Sequence, residues 1–597
     1  MRILKSFLCL LIFAAIVSAQ KSPELKQKAR KMLVEIARET GQLNAEENRI
    51  GAAATAADLM WDEDEKAARA LFQTALGELQ NICDAINPPE GFDEMTRAEK
   101  ADHFSKRYAL AELRRDFLHA LGGRDPQAAL AAFERLKVKI VDEYDPLNPN
   151  ELDLQLAAVM AQKDAEKSYA VAKRQLDANG LNFQFVEALK HLHKKNSQLA
   201  ADLAKDGAAK IKAAKIRVPS ETDTVAGSGK LPELNYYQIT HFINSVSEMN
   251  RMAARDKEKK MQPALSAAEM KEIVELVTNA FLATIKPTPH SISQLMPEIK
   301  LYSPAMAQRI RLKIGAADAK QLDKVVESHS FYNEAQEKDA DQLVTEAERA
   351  APEVRDQRLS SAAYKALEEE NAEKAREIAA RIKDRKNHEY LFEQIKEALP
   401  LAAARRGDAA EVNKILSAVK SNGEKARVLT ELALTVAAKG DRETAKKLLD
   451  ERLNLLPANP KTYAELETIV RFAGAYSFTA SENAFSILEN AIAQTDEYIN
   501  AGVKIDEFYI AGSSEANELL FSAINRQFLT HIPDSPDLIK NLARADFERT
   551  IALADKFQRP EIRLFARLRI VESLLDEDLV EKQKIMRQRI ASEGEGH

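Results

Sequence analysis

The chain has 597 residues, 45% of them hydrophobic and 30% charged, with 19 glycines, 20 prolines and a formal net charge of −7. The length suits about four domains and a sizeable core. So few glycines and prolines exclude collagen-like, low-complexity and wholly disordered chains and argue against a turn-rich all-β protein.

Residues 1–19 have three parts: a basic start (Arg2, Lys5), an apolar run from Phe7 to Val17, and the small-residue ending Val17-Ser18-Ala19. This pattern predicts a secretory signal peptide cut before Gln20, because the apolar run is too short to span a bilayer. Cys9 lies inside the run, which is not the place of a lipid-attachment cysteine. Removing the leader takes Arg2 and Lys5 and moves the formal net charge from −7 to −9. It also leaves Cys83 as the only cysteine, so no internal disulfide can form. The expected location is the periplasm or the outside of the cell, with no transmembrane segment after cleavage. Cys83 lies in a helical pattern with Leu79, Ile82 and Ile86 and reads as a small buried hydrophobe.

From Pro23 onward, apolar residues recur every three or four positions in segments broken by Gly, Asp, Asn or Pro. This periodicity predicts an all-α fold. Six helix starts share one phrase, in which an Asp or Asn is followed four positions later by a small residue and eight positions later by an apolar or small one. They are Asp64-Ala68-Phe72, Asp125-Ala129-Phe133, Asp164-Ser168-Ala172, Asn371-Ala375-Ala379, Asp408-Val412-Leu416 and Asp441-Ala445-Leu449. The Asp or Asn caps the helix, and the residues four and eight later share one face, where the small one lets the preceding helix approach.

One stretch matches a longer pattern: Leu429, Leu432, Ala433 and Val436 on a first helix, Gly440-Asp441 at the turn, then Ala445, Leu449, Leu453 and Pro457 on and after a second. Here the sequence resembles the tetratricopeptide repeat family over roughly residues 355–457, although Pro400 stands where a small first-helix residue belongs. The resemblance implies stacked antiparallel helical hairpins, an α-solenoid or superhelix, whose concave face binds extended peptides or helices of other proteins.

Composition places boundaries at about 217 and 345. After the leader (1–19), these give an N-terminal helical-hairpin region (20–216), a loop or linker (217–232), a middle helical region (233–345), tetratricopeptide-like repeats (346–590) and a frayed tail (591–597).

No constellation carries a recognisable chemistry. Gly227-Ser228-Gly229-Lys230 fails as a phosphate loop, with Thr224 where Gly is needed and Leu231 where Ser or Thr is needed. His191 and His193 are two apart on a helix and diverge by about 200°, so they read as surface residues rather than a metal pair. Gly512-Ser513-Ser514-Glu515 reads as a capping box opening a helix through Leu519 and Leu520, not as a nucleophile turn. Carboxylate runs such as Asp62-Glu63-Asp64-Glu65 and Glu368-Glu369-Glu370 read as solvated faces. No catalytic, cofactor-binding or metal-ligating residue is assigned, and no cofactor is expected.

The segment Lys190–Arg217 inverts the local sign of charge, with eight basic residues against Asp202 and Asp206. Lys205, Lys210, Lys212 and Lys215 form a candidate basic docking face for an acidic protein or, weakly, an anionic surface. An ordinary solvated helix that pairs with acids elsewhere is the simpler reading. Nucleic acid is not an expected partner of an exported acidic chain. The function expected is a non-catalytic scaffold binding another protein or peptide. The alternative is a periplasmic cell-wall-directed hydrolase or lyase surrounded by helical repeats.

Overall fold

The computed structural model describes residues 23–88, 92–141, 145–147, 149–218, 233–255, 261–285, 289–320, 322–323, 338–350, 352–369, 371–383, 409–418, 421–457, 459–509, 518–521 and 535–576. Short pieces at 391–392, 395–396, 399 and 403–404 complete the set. The expected leader (1–19), most of the expected linker, including Gly227–Lys230, and the expected tail (591–597) lie outside the described residues.

The principal elements are α1 (23–39), α2 (Glu46–Met60), α3 (Glu65–Ala85), α4 (Arg97–Arg124), α5 (Pro126–Arg135), α6 (Pro149–Met160), α7 (Ala165–Asn179), α8 (Phe183–Lys195) and α9 (Ser197–Ala213). Strands β1 (Lys215–Arg217) and β2 (Glu233–Asn235) follow, then α10 (Tyr236–Arg255), α11 (Ala267–Ala283), α12 (Pro289–Ser293), α13 (Met296–Tyr302) and α14 (Pro304–Ile314). The chain continues with α15 (Ala340–Arg349), α16 (Pro352–Glu368), α17 (Ala372–Ala379), α18 (Ala409–Ala418), α19 (Asn422–Ala438), α20 (Arg442–Asp450) and α21 (Tyr463–Thr479). The last helices are α22 (Ser481–Tyr509), α23 (Ser535–Ala545), α24 (Phe547–Ala554) and α25 (Pro560–Leu575). The fold is all-α. Its one exception among the described residues is the parallel ladder Lys215↔Glu233, Ile216↔Leu234 and Arg217↔Asn235, too short to show as a period-2 pattern.

The shared phrase is what builds the hairpins. The side chains of Asp64, Asp125, Asp164, Asn371 and Asp441 each accept the backbone N–H three residues on, at 2.9–3.1 Å. Asp408 lies outside the described residues. All six positions four residues later are fully buried: Ala68, Ala129, Ser168, Ala375, Val412 and Ala445. The six positions eight later (Phe72, Phe133, Ala172, Ala379, Leu416, Leu449) are buried as well. Two more starts, Asn196-Ala200-Ala204 and Asp546-Thr550-Ala554, obey the same phrase.

At Asp125, Asn196 and Asp546 one residue both ends a helix and opens the next. The Asn196 N–H donates to Leu192 O at 2.7 Å, while its own carbonyl accepts from Ala200 N at 3.1 Å. Connections this short make neighbouring helices antiparallel. From α6 to α9, each helix packs on the next and on the next but one, the contact pattern of stacked hairpins. The same pattern joins α19, α20 and α21, and then α23, α24 and α25. Where the small position is polar, it is satisfied locally: Ser168 Oγ donates to Ala157 O at 2.7 Å.

The chain divides into two compact units, one of residues Met1–Ile82 with Glu393–His597 and the other of Cys83–Phe392. The first unit joins the helices up to Ile82 with those after Glu393, a pairing of which composition carries no trace. In the first unit α2 packs on α25, and Arg567 reaches back to Glu39 at 2.9 Å. In the second unit, Arg107 and Asp145 form a fully buried ion pair at 2.5 Å. Arg107 also donates to Ile86 O and Lys139 O, and Arg114, two turns further along α4, donates to Leu136 O and Leu147 O. The two guanidiniums thus satisfy three carbonyls in the irregular stretch after α5 and one just beyond α3, where no helix can do so.

The hairpin α19–α20 spans the stretch expected to be tetratricopeptide-like. Leu429, Leu432, Ala433, Ala445 and Leu449 are buried, and Gly440 turns the chain at φ +97°, which favours glycine. The second helix ends at Asp450, however, so Leu453 falls in a 3-10 turn and is 42% exposed.

Candidate functional site

The candidate basic face is largely neutralised. Lys210 pairs with Asp177 at 3.2 Å, Lys212 with Glu272 at 2.6 Å and Lys205 with Asp202 at 3.8 Å, and Lys215 is not free either. Glu269, at the start of α11, is held below the usual carboxylate range first by its Ser266 hydrogen bonds and then, more weakly, by Lys205 and Lys212. The local excess of cations therefore faces acids on α7, α9 and α11.

His193 is not the surface residue expected. It is 1% exposed, with Nε2 on Gln262 O at 2.9 Å, and burial pushes its pKa below the ordinary imidazole value. Its helix carries Lys194 and Lys195 beside it, which disguised a buried position as a polar end. His191 is shifted the same way, by burial and then by Lys194. No group of three metal-ligating side chains occurs among the described residues. Cys83 is buried as expected, and burial pushes its thiol up to about 11.

Ser513 and Ser514 lie outside the described residues, but the helix expected through Leu519 and Leu520 is not there: Glu518–Leu520 are non-helical. The segment instead caps another helix. The Glu518 carboxylate accepts the backbone N–H groups of Asn44 and Ala45, while Asn48 bridges Leu519 O and Phe521 N. In the acidic run, Glu63 pairs with Arg30, Asp64 caps α3 and Glu65 pairs with Arg69.

Two concavities in the first unit remain as candidate sites. The first is a groove of about 390 Å³ between α1 and the α2–α3 hairpin. Its floor is apolar (Leu33, Leu59, Met60), Val34 stands 40% exposed within it, and its rim is ionic (Arg30, Arg38, Glu63).

The second is a pocket of about 280 Å³ enclosed by α21, α22, α23, α24 and α25, with Leu519 at one side. Leu466, Ile492, Leu542, Leu553 and Phe565 typify a lining that is almost wholly hydrocarbon. Its two threonines are turned back on their own helices, Thr495 to Ala491 O at 2.8 Å and Thr550 to Asp546 O at 2.7 Å. Among the described residues no carboxylate lines it, and Arg569, which pairs with Glu572, is the one charged lining residue. Beside the pocket, buried Asp496 accepts the Gln558 N–H at 2.9 Å, and Arg563 donates to Phe557 O and Gln558 O. These bonds fix the turn that carries Phe557 into the lining. Burial raises the Asp496 carboxyl above its ordinary value, against the opposing Gln558 hydrogen bond and the Arg563 and Arg559 charges.

Among its described lining residues there is no nucleophile and no acid–base pair. Sequence reasoning did not find the pocket, because Leu488, Ala491, Ile492, Thr495 and Ile499 follow the spacing of any core-facing stripe on a helix.

No protein-family model matches the chain, and no curated protein matches it. Among solved structures, the chain is similar to a circular tandem repeat protein with novel repeat topology and enhanced subunit contact surfaces. The identity is 13%, over 95% of this chain and 99% of that one, with a TM-score of 0.20. A superposition that poor does not establish a common fold. No described helix is long and apolar enough to cross a membrane.

Proposed function

We propose that this chain is an exported, non-catalytic helical-repeat scaffold that binds another protein or peptide, with its α19–α20 hairpin of tetratricopeptide type. The observation that carries the reading is the groove between α1 and the α2–α3 hairpin. A polypeptide segment presents both apolar side chains and polar groups, and this groove offers an apolar floor beneath an ionic rim. Export rests on the tripartite pattern of residues 1–19, and N-terminal sequencing of the mature protein should read from Gln20.

The binding reading is tested with a photo-crosslinking amino acid at Val34 and, as control, at the partly exposed Lys446 on α20. The full mature chain is irradiated in cell-envelope extract and the cross-linked peptides are mapped. One reproducible partner peptide joined at position 34 and absent at 446 is the expected result. Equal, unselective labelling at both positions would overturn the reading.

A further inference from the structure

We infer that His193 is a proton-sensitive latch, which holds residues 261–265 against the corner between α8 and α9 and releases them in acid. The device is separate from the α1–α3 groove and does not depend on the partner proposed for it.

Three observations carry the inference. The first is what the ring holds. His193 Nε2 meets the Gln262 carbonyl at 2.9 Å, and the Gln262 N–H donates to Ser197 Oγ at 3.0 Å. Both backbone groups of Gln262 are thereby tied, one to the last turn of α8 and the other to the first residue of α9. From the other side, Asn250 of α10 grips the same segment. Its Oδ1 accepts the Ala264 N–H at 2.7 Å and its Nδ2 donates to Leu265 O at 2.8 Å. The segment runs between these two attachments and leads into α11.

The second is which ring nitrogen is occupied. A carbonyl oxygen can only accept, so the neutral imidazole carries its hydrogen on Nε2. An incoming proton must go to Nδ1, which is buried and has no hydrogen-bond partner. A charged N–H shut away from water without an acceptor is costly. The latched form therefore excludes the proton, whereas release of the segment brings water to the ring and lets it charge.

The third is isolation from other charges. Burial is the largest influence on the His193 proton, and the Gln262 bond opposes it. Lys190, His191, Lys194 and Lys195 of its own helix add nothing to these two. Among the described residues, neither do Lys173 and Asp177 of α7, Asp202 and Lys205 of α9, or His241, Glu248 and Arg251 of α10. Residues 261–265 carry no charge at all. The latch thus answers to its own proton. With the latched ring below the ordinary imidazole value of about 6.5, attachment is strongest above that pH. It weakens below it, by up to about tenfold per pH unit, until the latched value is reached.

Hydrogen–deuterium exchange of the full mature chain at about pH 7.5 and about pH 5.5, with labelling times matched for the slower chemical exchange in acid, tests the latch. At the lower pH the amides of Gln262, Ala264 and Leu265 should lose about tenfold of their protection, while those in the middle of α10 and α11 keep theirs. His193→Gln can still donate to the Gln262 carbonyl but does not titrate, so its three amides should be protected equally at both pH values. Exchange of the ring C2 hydrogens in the unaltered protein reads the His193 titration without any substitution, and its midpoint should lie below that of the histidines in the unfolded chain. Equal protection of the segment at both pH values, a loss spread evenly over the whole unit, or a His193 midpoint at or above the unfolded value would each overturn the latch. The same loss in a folded His193→Gln protein would also overturn it and would put the acid response on His191 or His241.

Discussion

Glu518 closes the N-terminus of α2 from 473 residues away, its carboxylate accepting the Ala45 backbone N–H at 2.9 Å. Ala45 has no side chain able to cap, and the distant Glu518 instead takes the N–H groups of Ala45 and of the residue before it, just ahead of the helix's first turn. A second oxygen takes the Asn44 N–H at 2.7 Å. Glu518→Ala should therefore cost about 2 kcal/mol, because two backbone donors and the Asn48 amide lose a charged acceptor. Glu518→Gln, which keeps one acceptor, should cost less. Thermal melts of the two variants check the order, and equal losses would show that the acceptor oxygen kept by glutamine contributes nothing without the charge.

Gly207 on α9 faces a wall. A Cβ there would stand 2.9 Å from Phe242 Cε2, and Phe242 is itself stacked on Phe185, so it has little room to yield. Glycine-to-alanine changes inside helices ordinarily stabilise by about 0.5–1 kcal/mol. Gly77 on α3 has nothing within 4 Å and should behave that way, whereas Gly207→Ala should destabilise. Denaturant midpoints of the two variants should move in opposite directions.

Arg107→Met should be among the most damaging single changes, costing about 3–5 kcal/mol, since it leaves Asp145 charged and buried without its cation. The Asp145→Leu change added to it should restore only part of that loss, because the N–H groups of Val141 and Leu147 would then lack their acceptor. Burial alone would raise the Asp145 carboxyl, but the Arg107 hydrogen bond and those two backbone donors outweigh it and hold it below the ordinary value. A depressed carboxyl gives stability that is present above the unfolded-state pKa, about 3.9, and is lost as pH falls through the folded value. Chemical denaturation between pH 5 and 2 should show this loss in the parent and a shallower one in the double variant.

His193, His191 and His241 are all shifted downward, each chiefly by burial. The unfolded chain then binds protons that the folded one refuses. Stability should be full above about pH 6.5 and should fall as pH drops toward the folded values. His193→Gln, which keeps a donor toward Gln262 O, should flatten that slope. An unchanged slope would place the dependence on other groups.

Cys83, with its thiol raised to about 11 and its side chain 1% exposed, should not react with a thiol-specific disulfide reagent at pH 8 in the native protein. It should react fully in denaturant. Fast native labelling would mean that α3 opens readily near its C-terminal end.

The hairpins were legible in the sequence because their information is local. Asp164, Ser168 and Ala172 lie within two turns of one helix, and each of their roles (cap, close approach, core) depends on spacing alone. The meeting of Glu518 with Ala45 depends on where the whole chain carries them, and no local pattern encodes that. His193 was misread because its exposed neighbours outvoted it, and the lysines of α9 because their acids sit on other helices. Leu542 and Ile492 look the same in a filled core as around a pocket, so the apolar site had no signature of its own.

Because α1, α2 and most of α3 complete a unit whose other members begin at residue 393, synthesis sets an order of events. The first helices emerge from the ribosome long before their partners. At about 5–20 residues per second, the intervening 83–392 segment takes tens of seconds to be made. During that wait Leu33, Ile36 and Ile50 have no core to enter, whereas the 83–392 unit can fold as soon as it is complete. The helices α1, α2 and most of α3 therefore cannot reach their final place until those after residue 393 have been made.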